Sequence, residues 1–244
     1  MKELIKAILK RTPYRIVRRG DLNRFDAIEE MMLAMRRRGF SPSRIIDGGA
    51  NIGAFAKKAA NIYSSAFVDM IEPQPECLDQ LHNLSAARGF SFHPVALVGP
   101  SYSKGTISLN ISPGEVTTGA HISIAQNANS VDVRAATLDS IFANVSLDNE
   151  RIFLKLDLQG YELEALAGGE KTLERTEVIL TEVSFFAQAY EPPIVQIMDF
   201  LDARHFELYD VAALGARARD GRARQGDFIF VRRDSALSTD KSWS

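Results

Sequence analysis

The stretch Ile45-Ile46-Asp47-Gly48-Gly49-Ala50-Asn51-Ile52-Gly53 constrains this chain more than any other. Two β-branched apolar residues feed a glycine-rich turn, and a helix-like run leaves it from Ile52 to Tyr63. The pattern reads as strand, tight turn and helix start. Glycines in such a turn reach positive φ and let backbone N–H groups approach a ligand, while the helix N-terminus adds partial positive charge. A nucleotide-like ligand is the first expectation.

The spacing narrows the ligand. The dinucleotide fingerprint Gly-x-Gly-x-x-Gly fits no register of Gly48, Gly49 and Gly53, which disfavours a nicotinamide oxidoreductase. The pattern is Asp47-x-Gly49-x-Asn51-x-Gly53, an acid ending the first strand and then alternating small residues. A carboxylate that meets an ammonium group, beside a turn that meets a carboxylate, suits a cofactor with an amino-acid tail, and S-adenosylmethionine has both groups. A second apolar run, Ala66 to Ile71, ends at Glu72, 25 positions after Asp47. An acid about 20 residues on, at the end of the second strand, is expected to accept from ribose hydroxyls.

The 244 residues are ample for one large domain with an appendage. A formal net charge of −2 argues against a chain held to nucleic acid or anionic membrane by bulk electrostatics. The single Cys77 excludes an intramolecular disulfide and reads as a small apolar helix residue in a reducing, cytoplasmic setting. Met1 to Lys10 alternates apolar and basic residues without the apolar core of a secretory signal, and no stretch is long enough for stable membrane insertion. It reads as a short amphipathic helix followed by Arg11, Arg15, Arg18 and Arg19, a solvated linker rather than a membrane anchor.

Helical spacing over Phe25 to Met35 predicts a helix covering the sheet, and Pro75 to Arg88 another, with Leu78, Leu81 and Leu84 inward and Gly89 as its cap. Strands are expected at Phe90–Val98, Gly105–Ile111 and Val131–Leu138, the last two forming a small antiparallel insertion. The polar loop between them, Ser112 to Ser130, contains His121 and is a candidate lid. Arg151 to Leu158 is apolar enough for a central strand buried on both faces and places Asp157 at the crevice. A helix from Glu162 to Leu173 leads to a strand Val178–Val183 that carries Glu182, and Pro192-Pro193 opens a helix with Ile194, Ile197, Met198 and Leu201 on one side. Strands alternating with helices predict a doubly wound α/β fold with ligands at the carboxyl ends of the strands.

The ordered series Ile46-Asp47-Gly48-Gly49-Ala50-Asn51-Ile52-Gly53, Ile71-Glu72-Pro73-Gln74-Pro75, Thr137-Leu138-Asp139, Leu154-Lys155-Leu156-Asp157-Leu158-Gln159-Gly160-Tyr161-Glu162 and Leu180-Thr181-Glu182-Val183 resembles the FkbM-type methyltransferases from about Ile45 to Arg232. That resemblance implies a class I, Rossmann-like methyltransferase fold with a mostly parallel seven-stranded sheet, closed by a hairpin of Phe206–Leu214 and Asp227–Arg233 with one strand reversed. The domain layout is then an N-terminal helical extension over 1–43, a methyltransferase domain over 44–234 with an insertion at about 100–138, and a tail over 235–244.

The implied activity is S-adenosylmethionine-dependent O-methylation of a small hydroxylated acceptor, a sugar or secondary metabolite. N-methylation and a non-catalytic partner subunit are the alternatives. The expected cofactor residues are Asp47, Gly48, Gly49, Asn51, Gly53, Glu72, Pro73, Ala96 and Asp157, and the expected catalytic set is Asp157, Glu182 and His121. Asp157 has the alternative role of holding the methionine ammonium, and Glu182 that of binding acceptor hydroxyls. Phe185, Phe186 and Tyr190 are candidates for an acceptor pocket. The family usually has Asp-x-Glu-Gly where this chain has Asp157-Leu158-Gln159-Gly160, so Gln159 keeps the shape of that Glu without its charge. The motifs leave a divalent metal and the oligomeric state open.

Overall fold

The computed structural model describes residues 24–111, 121–122, 130–187, 191–217 and 219–239. The expected helix Met1 to Lys10, the four arginines that follow it, most of the loop 112–130, Tyr190 and the last five residues of the tail lie outside the described residues. Helix α1 (Arg24–Arg37) buries Ile28, Met32 and Met35 and ends in Arg36 and Arg37, where cations oppose the helix dipole. After β1 (Arg44–Gly48) come α2 (Ala54–Ile62), β2 (Phe67–Ile71) and α3 (Pro75–Arg88), the last opened by Pro75 and closed by left-handed Gly89. Leu81 and Cys77 are buried on α3, whereas Leu78 and Leu84 are half-buried.

The single strand expected over Phe90–Val98 is two short ones, β3 (Ser91–His93) and β4 (Ala96–Leu97), which belong to different sheets. Pro94 lies between them, and a proline cannot donate into a ladder. Next come β5 (Thr106–Asn110), β6 (His121–Ile122), β7 (Ser130–Ala136), α4 (Leu138–Ile141) and β8 (Ile152–Leu156). The helix expected over Glu162–Leu173 is α5 (Glu162–Ala167) and α6 (Glu170–Leu173), broken at Gly168 and Gly169. Both glycines lie against neighbours: a Cβ on Gly168 would sit 2.5 Å from the Val98 carbonyl oxygen, and one on Gly169 2.8 Å from Leu138. The chain finishes with β9 (Thr176–Ser184), α7 (Ile194–Asp202), β10 (Phe206–Arg217), β11 (Ala223–Arg232) and α8 (Ala236–Thr239). On α7, Ile197 and Leu201 are buried but Met198 is exposed, so the apolar stripe is narrower than its spacing implies.

The main sheet has seven strands in the order β10-β11-β9-β8-β1-β2-β3. Strand β1 is parallel to β2 and β8, β8 to β9 and β2 to β3, while β11 runs antiparallel to both its neighbours. The fold is therefore the mostly parallel, doubly wound class I methyltransferase architecture. The strand order reverses at β1, the switch point outside which such sheets bind ligands. Alternation along each strand feeds two cores: Ile45 and Phe153 pack with α1, α2 and α3, and Ile46, Leu154 and Leu156 pack with the helices on the other face. A four-stranded sheet, β4-β7-β5-β6, carries its own small core of Ala96, Ile107, Leu109, Ile122 and Val133. No described helix is long and apolar enough to cross a membrane.

Candidate active-site cleft

A cavity of about 730 Å³ opens at the carboxyl ends of β1, β2 and β8. That volume lies within the ~300–1,000 Å³ of small-molecule sites. Helix α1 supplies Arg24, Phe25 and Ile28 to its wall, and the segments after β1 and β2 supply Gly49, Asn51, Glu72 and Pro73. Val95, Ala96 and Leu97 line it beside β3, Asp157 and Tyr161 follow β8, and His121 enters from β6.

The glycine turn is built differently from its sequence reading. Gly49 has φ 73°, and a Cβ there would lie 2.0 Å from the Asp157 carbonyl oxygen, so only glycine fits. The turn N–H groups are spent within the protein: Gly49 and Ala50 donate to the Ile71 carbonyl at 3.0 and 3.1 Å, Asn51 to the Glu72 carboxylate at 2.7 Å and Gly53 to the Ala50 carbonyl at 2.7 Å. The expected array of amides aimed at a ligand is thus replaced by bonds to β2. Gly53 faces α3, where a Cβ would lie 2.3 Å from Leu84. Asp47, Gly48 and Gly53 do not line the cavity, whereas Gly49, Asn51, Glu72, Pro73, Ala96 and Asp157 do.

Asp47 is fully buried, and the ammonium that meets it belongs to Lys155, 2.9 Å away. In the parallel ladder Asp47 is the register partner of Lys155, which puts both on the same face. Lys155 also donates to the carbonyls of Gly49 at 2.7 Å and Gly48 at 3.2 Å. Its burial disfavours the charge, but Asp47 and then Asp157 outweigh that and raise its pKa.

Glu72 is buried yet borders the cavity. One carboxylate oxygen accepts the Asn51 N–H and the other the Gln74 N–H, at 2.7 and 3.0 Å. The Gln74 side chain also bonds this carboxylate, so of its about four lone-pair positions about one remains, enough to accept from a ribose hydroxyl. Desolvation raises its pKa despite those two N–H groups. Together with the apolar wall of Ile71, Val95 and Leu97, this acceptor fits the ribose and base of S-adenosylmethionine.

At the other side of β1, acids gather around one cation. Arg24 reaches Asp157 at 3.0 Å, Glu182 at 2.9 Å and Asp227 at 2.5 Å. Asp227 is the antiparallel cross-strand partner of Glu182. Gln159, in the left-handed region at φ 53°, donates its side-chain amide to Asp157 at 3.1 Å and Glu182 at 3.2 Å. Burial pushes Glu182 up to about 7, with Asp157 adding to the rise and Arg24 opposing it. Burial also raises Asp227, against the pull of Arg24. Arg24 is itself raised, because its three acids outweigh its desolvation.

Of the expected catalytic residues, Asp157 and His121 border the cavity, and Glu182 sits behind it, joined through Arg24 and Gln159. Glu162 takes a structural position: it accepts the N–H groups of Leu158 and Gly160 at 2.7 and 3.0 Å, folding the loop that aims Asp157, and burial pushes it up to about 8. Asp139 accepts the N–H groups of Lys171 and Thr172 and so caps α6, well away from the cavity. Phe185 packs edge-on against Phe228 and Phe186 lies beneath Arg222, so neither lines the cavity. Among the described residues no group of three or more His, Cys, Asp or Glu is disposed to hold a metal ion.

Sequence reasoning missed Arg24 and Asp227. Arg24 has no motif around it. Asp227 had a signal in Gly226-Asp227-Phe228-Ile229-Phe230, a lone acid in an apolar strand.

Comparison with known proteins matches residues 47–208 to the family described as Methyltransferase FkbM domain. Methyltransferase sdnD of Sordaria araneosa is 28% identical over 195 residues, covering 67% of this chain and 73% of that protein. Among solved structures, the methyltransferase FkbM from Methylobacillus flagellatus KT is 20% identical with a TM-score of 0.47 and covers 78% of this chain; the chain spans only 44% of that longer protein. Aeropyrum pernix fibrillarin, solved with natively bound S-adenosyl-L-methionine, is 11% identical with a TM-score of 0.45, covering 83% of this chain and 74% of its own.

Proposed function

Because the chain belongs to the FkbM methyltransferase family, we propose that the cleft binds S-adenosylmethionine and directs its methyl group to a hydroxyl of a small molecule such as a sugar or a secondary-metabolite scaffold. When bound, the cofactor supplies a methyl already activated on a sulfonium. The observation that carries the reading is Glu72, whose carboxylate borders the cavity at the end of β2 with about one lone pair left over for a ribose hydroxyl. Ile71, Val95 and Leu97 offer an apolar wall for the base, and Asn51 fixes the carboxylate of Glu72.

In this reading the acceptor lies on the β8 side, where Asp157 accepts its hydroxyl and takes the proton as the new bond forms. Arg24 and Gln159 hold one oxygen of Asp157 each, so its orientation is set before the acceptor arrives. Glu182 shares both of those partners and forms the charged floor beneath Asp157. His121 is the second candidate for the proton, since it reaches the same cavity from β6.

Calorimetric titration with S-adenosylhomocysteine, beside an NAD control, tests the cofactor assignment. Wild type is expected to bind S-adenosylhomocysteine and ignore NAD, and Glu72→Ala to bind at least about tenfold more weakly. Tight NAD binding alone would overturn the assignment. With binding established, a panel of hydroxylated acceptors read by mass spectrometry separates oxygen from nitrogen methylation. Loss of transfer in Asp157→Asn with retained transfer in His121→Gln would identify the base.

A further inference from the structure

Lys155 stands in β8 between Leu154 and Leu156, and the cofactor reading gives it no work. We propose that Lys155 is a positioning residue of the cofactor site: its ammonium clamps the glycine turn in the shape that presents Gly49, Asn51 and Glu72 to the cleft. The inference rests on the cleft being the cofactor site.

A lysine ammonium has three donor hydrogens. Here three acceptors surround it, the Gly49 carbonyl at 2.7 Å, the Gly48 carbonyl at 3.2 Å and the Asp47 carboxylate at 2.9 Å. Although Lys155 borders the cavity, two of its donors bond the turn carbonyls and its charge lies against Asp47. The Phe55 ring covers it from 5.8 Å.

The turn is therefore bonded along both edges. Its carbonyls are held by β8 through Lys155, and its N–H groups are held by β2 through Ile71 and Glu72. Gly49, with a Cβ position overlapping the Asp157 carbonyl, has no room to shift toward β8. Removing the ammonium takes the side-chain donor from the Gly49 carbonyl, whereas the Gly48 carbonyl keeps the Asp157 N–H at 3.1 Å, and the peptide plane after Gly49 must rotate to find a new donor. Such a rotation moves the Asn51 N–H that orients Glu72. Asp47, buried beside Lys155 in the ladder, is the counter-charge that keeps the clamp in place.

The test compares wild type, the charge-balanced double variant Asp47→Asn with Lys155→Met, and Lys155→Arg, each by thermal melting, S-adenosylhomocysteine calorimetry and hydrogen exchange over residues 47–53. The double variant removes the buried charge pair as a unit; folded, it is expected to bind at least about tenfold more weakly and to exchange faster over 47–53. Lys155→Arg keeps a cation against Asp47 but replaces the point geometry with a planar fork. It is expected to keep its melting temperature within a few degrees while binding about threefold to tenfold more weakly, and it decides the matter if the double variant does not fold. Wild-type affinity and exchange in either folded variant would overturn the clamp. If wild type itself fails to bind S-adenosylhomocysteine, the cofactor assignment falls instead, and exchange over 47–53 alone still reads whether Lys155 holds the turn.

Discussion

Two cross-strand pairs of ionisable residues in the same sheet are handled in opposite ways. On β1 and β8 the register sets Asp47 beside Lys155, unlike charges 2.9 Å apart that neutralise each other within the sheet. On β9 and β11 it sets Glu182 beside Asp227, like charges whose direct opposition is unfavourable. The second pair is held chiefly by Arg24, which comes from α1, 203 positions from Asp227 in sequence, and which also collects Asp157. A pair solved locally gives a rigid turn. A pair solved by a distant cation gives a cluster whose charge state answers to pH and to the placement of α1.

Breaking the first pair by one side should have the largest effect. Lys155→Met leaves Asp47 fully buried without a counter-charge, and removing one partner of such a pair typically costs about 3–5 kcal/mol. Urea denaturation should show that loss at pH 7. Arg24→Met removes the guanidinium that pairs with three acids, but Arg24 is 29% exposed, so solvent screening reduces the expected loss to about 1–3 kcal/mol at pH 8.

The pH dependence of wild type follows with its sign determined. Burial holds Glu182 at about 7 and Glu162 at about 8, both above the ordinary 4.5. The folded state thus binds these protons more tightly than the unfolded chain. Their stabilisation is complete below about 4.5 and is lost as pH rises through 7 to 8. From pH 5.5 to 8.5 the melting temperature should fall by roughly 10 °C or more on this account. Arg24→Met should steepen the fall, because Asp157 and Asp227 then raise Glu182 further; a flat profile in both proteins would show that the cluster does not titrate as described.

The smallest change restores the charge that the family usually carries at position 159. Gln159→Glu replaces a donor shared by Asp157 and Glu182 with another acceptor, and should cost about 0.5–1 kcal/mol at pH 8 and little at pH 5.5. Comparing its denaturation midpoints at the two pH values measures how far Gln159 relieves the acids.

Most of the fold is legible in the sequence because its signals are local and repeated. Ile45-Ile46 before the glycines, the apolar run ending at Asp157, and the Pro75 and Gly89 boundaries of α3 each follow from backbone sterics or periodicity. Where local signals failed, a neighbour had the deciding vote. Pro94 divides one expected strand between two sheets, and the close packing of Gly168 and Gly169 divides one expected helix. The site was read less completely, since motif spacing identifies which strand ends carry acids and says nothing about what neutralises them.

The chain's own order of residues determined the alternation of strands and helices, the glycine-rich turn after β1, and the acids at the ends of β2 and β8. These depend on dihedral limits and on periods of a few residues. Only the tertiary structure decided that Lys155 rather than a ligand meets Asp47, that the turn amides are spent on β2, and that Arg24 and Asp227 complete the acid cluster. Those outcomes depend on which strands become neighbours and in what register, and a buried charge takes whichever partner that register brings within about 3 Å, whatever its distance along the chain.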